Sequence, residues 1–398
     1  MQPVPVVLHI GTEKTGSTAI QAYLRENQRA LREAHGTLIP AALGGAAATH
    51  LAAACQRRET PDALRSARGL DTLEAVLAYS NTLAGQLREE LASAQPDQLL
   101  LSCENFTSRL QTREEVEALR DFLQPFAASV KVVVYLRDQV DMITSSYTTK
   151  VRNGFTGQFR FPPQGAERSD AHYDALLELW SVVFGAANMD VRLYDKNRLE
   201  DADIVTDFCQ ATGIPADLPR SDPRPNRSPD VHILELLRRL NEEIPHRIDG
   251  GPNPLRGDLA DAVFALNADN TGDALRAADT SLGERFDAGN RAVAAKWFAQ
   301  DPSVPPTLFD RAQPRTAVDA SPELTGELLL RATARLWQHQ QAQLHITVLE
   351  RDQLKAELFM ARGETERALK LCQRLCKKNP GDALCLSLLE RAEQLAGQ

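Results

Sequence analysis

Between His9 and Gln21 the chain reads HIGTEKTGSTAIQ, directly after the apolar run VPVVL. Two glycines, a lysine and several hydroxyl residues fall between a segment patterned as a strand and one patterned as a helix. That composition suits an anion cradle, because the unpaired N–H groups and the dipole of a helix start both point into the preceding turn. The amides of Thr15, Gly16, Ser17 and Thr18 can wrap a phosphate, Lys14 adds a point charge, and Ser17 or Thr18 adds a hydroxyl donor. The plain alternative is a tight turn that merely uses glycine. The nucleoside triphosphatase loop, G-x-x-x-x-G-K-[ST], sets its lysine directly after the second glycine. Here Lys14 comes two positions before Gly16, which weighs against ATP or GTP.

The elements that must position this loop follow from periodicity. Val4–Ile10 is a β-branched apolar run, and the stretch from Gly16 to Ala34, with Ile20, Leu24 and Leu31 on one face, predicts a helix. Gly36–Pro40 reads as a second strand, Ala41–Ala48 as a loop, and Leu64–Ala94 as a long amphipathic stretch. Leu99–Ser102 and Lys131–Asp138 are buried-strand runs separated by a helical pattern at Arg113–Leu123. Tyr173–Phe184, Asp190–Tyr194 and Ile204–Thr212 continue as helix, strand and helix, with Gly213 as the stop. Strands alternating with helices imply crossovers and a parallel sheet covered on both faces. The expected fold is therefore a three-layer, P-loop-like α/β domain over 1–318, less regular toward its end, with a C-terminal α-helical extension over 319–398.

With 398 residues, 43% hydrophobic and 25% charged, the chain has the profile of an ordinary globular protein. A net charge of −9 argues against general nucleic-acid binding, so an anionic ligand must be held by a local cluster of donors. No apolar run approaches the roughly 20 residues that span a bilayer. MQPVPVVLHI lacks the features of a signal peptide, and a cytoplasmic location is expected. The six cysteines are scattered, which predicts a reduced set and no metal site.

Glu13-Lys14-Thr15-Gly16-Ser17-Thr18 resembles the first motif, P-K-x-G-[ST]-T, of sulfotransferases that use 3′-phosphoadenosine 5′-phosphosulfate, with glutamate in place of the usual proline. The family's second motif, an arginine at a strand end and a serine eight residues on, is matched by Arg137 and Ser145 in VVVYLRDQVDMITSSY. The resemblance implies that Lys14, Thr15, Gly16, Ser17 and Thr18 hold the 5′-phosphosulfate and that Arg137 and Ser145 meet the 3′-phosphate. A planar guanidinium can meet two oxygens of such a dianion at once. It further implies that Arg227 and Ser228, in PNRSP, belong to a loop closing over the nucleotide, the alternative being an ordinary proline-stiffened linker. The product would be 3′,5′-adenosine bisphosphate, with no metal required.

Sulfuryl transfer to a hydroxyl or amine needs a base, and ligands of parallel sheets gather at the carboxyl ends of the strands. Glu104, in SCENF at the end of the strand Leu99–Ser102, shares that edge with Lys14 and Arg137, and resembles the glutamate of carbohydrate-acting members. Capping of the next turn, or a pair with Arg109, are its structural alternatives. His50 is the second candidate base, while His9 inside the first strand reads as a packed residue. Two other functions stay open: an ATP-dependent kinase, for which Asp138 could hold magnesium, and a non-catalytic nucleotide-binding module with a partner-recruiting tail. In that tail Gly363, Ala368, Cys372, Leu375 and Pro380 have spacings that resemble a tetratricopeptide helical hairpin. A protein partner or self-association through these helices is expected.

Overall fold

The computed structural model describes residues 2–221, 229–266, 280–309 and 322–396, the first three residues of the third segment by backbone alone. Arg227 and Ser228 lie outside the described residues. In chain order the elements are β1 (Val4–His9), α1 (Ser17–His35), β2 (Thr37–Leu38), α2 (Thr49–Ala54), α3 (Ala63–Ser66), α4 (Leu73–Ala94), β3 (Gln98–Ser102) and α5 (Asn105–Arg109). There follow α6 (Arg113–Leu123), β4 (Ala127–Leu136), α7 (Gln139–Arg152), α8 (Tyr173–Phe184), β5 (Met189–Leu193) and α9 (Ile204–Thr212). The remainder comprises α10 (Val231–Glu243), β6 (Arg247–Ile248), β7 (Gly251–Pro252), α11 (Leu259–Ala265), α12 (Thr280–Trp297), α13 (Gly326–Ala361), α14 (Thr365–Lys378) and α15 (Ala383–Ala396).

Strands β1 to β5 form a parallel sheet in the order β2-β3-β1-β4-β5. Alternation along the strands feeds two cores. Leu8, Leu101, Val132, Val134 and Leu136 point to one face, where Leu87 of α4, Leu119 of α6 and Trp180 of α8 cover them. Val7, Leu100, Val133 and Tyr135 point to the other, under Leu24 of α1 and Phe208 of α9. Burial on both faces is why these strands read as unbroken apolar runs. The result is the three-layer α/β architecture that the strand–helix alternation predicts.

Several local expectations need correction. Strand β4 begins at Ala127, before the apolar run, because Ala127 and Ser129 pair with Val4 and Pro5 across a register shift. The stretch Leu64–Ala94 is broken: α3 ends at Ser66, and α4 restarts where the Thr72 hydroxyl accepts from Ala75 N at 3.1 Å. The Ala41–Ala48 loop contains two short 3-10 turns, at Ala41–Leu43 and Gly45–Ala47. The region expected to be less regular contains the 18-residue helix α12. At its Gly289 a Cβ would lie 2.7 Å from Asp174 Oδ1, so close packing on α8 requires the glycine. Farther along α12, buried Asn290 exchanges hydrogen bonds with Gln139 of α7 at 2.7 and 3.2 Å.

The chain divides into two compact units: Met1–Val151, Gly157–Val231 and Asp273–Ala320 form one, and Arg152–Thr156, His232–Gly272 and Ser321–Gln398 the other. In the second, α13, α14 and α15 share a small core in which Ala368, Cys372, Cys385 and Ala392 lie fully buried where the helices approach.

One buried polar network ties the sheet to α9. Asp207 accepts from Tyr135 Oη at 2.6 Å and from the Arg192 guanidinium at 2.7 and 2.9 Å. Burial would raise its carboxyl, but these donors hold it below the usual carboxylate range. Asp207→Ala leaves a phenol and a guanidinium without their acceptor. It is expected to cost about 3 kcal/mol, at the lower end for a broken buried pair because Arg192 keeps some solvent, read from urea unfolding beside the wild type.

Candidate functional site

The turn between β1 and α1 is shaped by left-handed backbone: φ is +80° at Gly11, +84° at Gly16 and +66° at Lys14. At Gly11 the need is steric, since a Cβ would stand 2.7 Å from Cα of Glu104. Gly16 likewise faces Ile204, whose side chain a Cβ would meet at 2.9 Å. Helix α1 begins with no side-chain cap and no acidic residue in its first turn, leaving its leading amides available to an anion. The Ser17 hydroxyl is buried there without a hydrogen bond of normal geometry, and Thr18 is exposed. Thr15 turns inward instead, donating to Thr12 O at 2.6 Å, while Thr12 donates to Tyr135 O at 3.0 Å. Thr15 therefore presents its backbone, and its hydroxyl locks the loop.

Arg137 and Lys14 lie in contact. The Arg137 guanidinium donates to the Lys14 carbonyl at 2.8 Å and lies over the Tyr194 ring, 5.5 Å from its centroid. Tyr173 fixes the Arg137 backbone from below by donating to its carbonyl at 2.6 Å. Lys14 Nζ donates to Thr149 Oγ1 at 2.8 Å, and Thr149 in turn donates to the Ser145 carbonyl at 3.3 Å. Ser145 and Thr149, four residues apart, thus share the α7 face that Lys14 reaches. Next to Ser145, the Ser146 hydroxyl is buried and unpartnered. Sequence reasoning missed Thr149, Tyr173 and Tyr194 at this site; the helical spacing of Thr149 from Ser145 was the available signal.

Glu104 stands at the carboxyl end of β3, half-buried, and neither structural alternative for it is realised. Its side chain makes no capping bond to α5, and Arg109 pairs with Asp62 at 3.5 Å. Burial raises its pKa, and the nearby Glu13 charge adds to the shift, against opposition from Lys14 and Ser17. Glu13 itself is bound by Arg168 at 2.7 Å, and Arg168 also grips Asp170 at 2.6 Å. Arg168 and Glu13 form a further ionic link at the cradle that sequence reasoning did not single out.

The remaining candidates fall elsewhere. His50 Nδ1 lies 3.4 Å from Ala42 O with its ring 6.3 Å from that of Tyr79, and its described contacts do not include Lys14, Glu104 or Arg137. His9 is packed: Nδ1 bonds Ser102 Oγ at 2.8 Å, and burial lowers its pKa to about 3. The Asp138 carboxylate accepts from Val140 N and Asp141 N at 2.9 and 3.2 Å, the geometry of a helix cap on α7. Among the described residues, no group of three His, Cys, Asp or Glu side chains is placed to hold a metal ion. No described helix is long and apolar enough to cross a membrane.

Fold and site together define a three-layer α/β protein with a glycine-rich strand-to-helix turn, a lysine, an arginine and a carboxylate at one edge of its sheet. No family model matches the chain. It is 31% identical over 120 residues to an uncharacterized protein of Archaeoglobus fulgidus, a match covering 29% of this chain and 31% of that protein. The chain thus spans about a third of the length of the curated relative it matches. A sulfotransferase from Alicyclobacillus acidocaldarius, known from its crystal structure, aligns with 62% of this chain and 97% of its own at 19% identity, with a TM-score of 0.37.

The raised pKa of Glu104 makes a stability prediction. A carboxyl whose pKa is raised on folding keeps its proton more tightly in the native state, so stability falls as pH climbs from the unfolded value of about 4.3 through the folded one. Glu104→Gln removes that loss. The variant should be more stable than the wild type at neutral pH, with the gap closing below about pH 4, as measured by urea unfolding at both pH values.

Proposed function

We propose that the chain is a sulfotransferase that takes a sulfuryl group from 3′-phosphoadenosine 5′-phosphosulfate and delivers it to a hydroxyl or amine, a glycan hydroxyl among them, leaving 3′,5′-adenosine bisphosphate. The observation that carries this reading is the convergence of three groups at one sheet edge: Arg137 on the backbone of Lys14, Lys14 on the α7 face of Ser145, and a partly desolvated Glu104. The residues fit the donor. The buried Ser17 hydroxyl lies at the start of α1, and the uncapped start of that helix offers its amides to an oxyanion.

In this reading Lys14, Thr15, Gly16, Ser17 and Thr18 hold the 5′ end, and Arg137 and Ser145 hold the 3′-phosphate. Arg227 and Ser228 are proposed for the closing loop. The bound donor supplies the sulfuryl group and a phosphate as leaving group. Glu104 removes the acceptor's proton, with His50 as the alternative base. Lys14 and the start of α1 stabilise the negative charge left on the departing phosphate oxygen. Residues 1–318 would carry the chemistry and 319–398, with its tetratricopeptide-like hairpin, would serve association. The kinase reading is the alternative; against it stand the position of Lys14 before Gly16 and the use of Asp138 Oδ1 as a helix cap.

Arg137→Ala is expected to weaken 3′,5′-adenosine bisphosphate by about 2–4 kcal/mol, as for loss of one partner of a desolvated charge pair, and to weaken 5′-AMP, which loses only the support that Arg137 gives the Lys14 backbone, by clearly less in calorimetry. Equal losses for both nucleotides would reduce Arg137 to a support for the Lys14 backbone.

In turnover assays with labelled donor, Glu104→Gln should slow the reaction by about 10²–10⁴-fold. Lys14→Ala should slow it by about 10²–10³-fold. Bisphosphate affinity should stay near wild type for the Gln variant. Wild-type turnover in Glu104→Gln would remove Glu104 as the base and turn attention to His50.

A further inference from the structure

Helix α13 runs for 36 residues and carries large apolar side chains open to solvent: Leu330 is 72% exposed, Trp337 63%, Leu344 56% and Leu358 46%. Seven residues separate the first three in turn, and fourteen separate Leu344 from Leu358, with the exposed Arg351 standing midway. The row thus keeps a strict seven-residue period over four heptads. Exposed Val348 and Leu354 widen it. Buried residues of the same helix, Ala332, Gln353, Ala356 and Met360, lie off this row. Between Gln340 and Val348 every residue is exposed, with His345 Nε2 reaching Asn379 Oδ1 at the end of α14 at 3.0 Å.

An isolated helix gains little from water-exposed leucines, and a period of seven is the spacing at which one helix lies along another. The identity of the partner follows from the row itself. Under a two-fold axis at Leu344, position 330 opposes 358, 337 opposes 351, and 344 opposes itself. Leucine then meets leucine at both ends and at the centre. The single cation of the row, Arg351, meets its single aromatic ring, Trp337, a favourable cation–π pair. A parallel, in-register pairing would instead set Arg351 against Arg351. We propose that α13 is the interface of a homodimer, in which two copies of the chain pair their α13 helices antiparallel about Leu344.

The full-length chain, measured by sedimentation equilibrium at micromolar concentration, should have twice the 43.8 kDa mass of one chain. Leu344→Glu places two carboxylates at the axis, because the symmetry counts each change twice. It should raise the dissociation constant by about 100-fold or more, giving a single-chain mass with unchanged helix content. Cysteine pairs test orientation without disturbing folding. Leu344→Cys should cross-link to itself under mild oxidation, whereas Trp337→Cys should cross-link only when mixed with Arg351→Cys. A wild-type monomer at every concentration would overturn the proposal, meaning that the row is covered by the rest of the chain or by another protein. A dimer indifferent to Leu344→Glu, or self-cross-linking by Trp337→Cys, would overturn it as well.

Discussion

The Arg137 guanidinium against the Lys14 carbonyl is the contact on which the site depends. Lys14 adopts a left-handed backbone at φ +66°, a conformation that costs a non-glycine residue on the order of 1 kcal/mol. Such a residue persists only where its surroundings over-determine it. Here one charge-assisted bond fixes its carbonyl and another fixes its ammonium on Thr149, so both ends of the strained residue are held. Arg137 can do this because β4 runs on past Val133, the partner of His9, to Leu136, where Val133 O and Tyr135 O accept from Ile10 N and Thr12 N, and because Tyr173 of α8 fixes the Arg137 backbone. The lysine's position is thus a property of three neighbouring elements more than of its own loop.

A second constraint brings the carboxylate to the same place. Gly11 leaves no room for a side chain against Glu104, so the ends of β1 and β3 approach as closely as backbone allows. The cradle and Glu104 are therefore coupled through the backbone, and a shift in one displaces the other. This is the crevice beyond the strand ends that parallel sheets supply. The helix start α1 fills one side of it and the Arg168 link to Glu13 another.

Much of this was legible because the runs VPVVL, LLLS and VVVYL are buried on both faces, and double-sided burial writes itself as uninterrupted apolar sequence. Arg137 was legible because it directly follows its run, and Glu104 and Lys14 because they come two and six residues after theirs, in the turns at the strand ends. Side chains whose position depends on helix register or long-range packing were not. Thr149 matters only because Lys14 crosses to α7, and Arg168 reaches Glu13 from 155 residues away. Helix α12 was missed for a related reason. Its Gly289 lowers local helix propensity, and the compensating fit to Asp174 exists only in the folded chain.

The two glutamates of the cradle have environments that push their acidities apart. Burial would raise Glu13, but the Arg168 ion pair outweighs it and holds Glu13 below the usual range, so it remains charged. That fixed charge acts on Glu104, whose own burial outweighs the opposition of Lys14, Ser17 and Arg168, and the Glu104 pKa rises. Opposed shifts in neighbouring carboxyls are the pattern by which acid–base roles are assigned. Lys14 is the main charge opposing the Glu104 shift. In the proposed reaction an anion in the cradle would neutralise part of that opposition, so Glu104 would become the stronger base only once the donor is in place. Coupling of this kind would keep the site from activating water or acceptor in the absence of nucleotide, using only charges that the fold already holds.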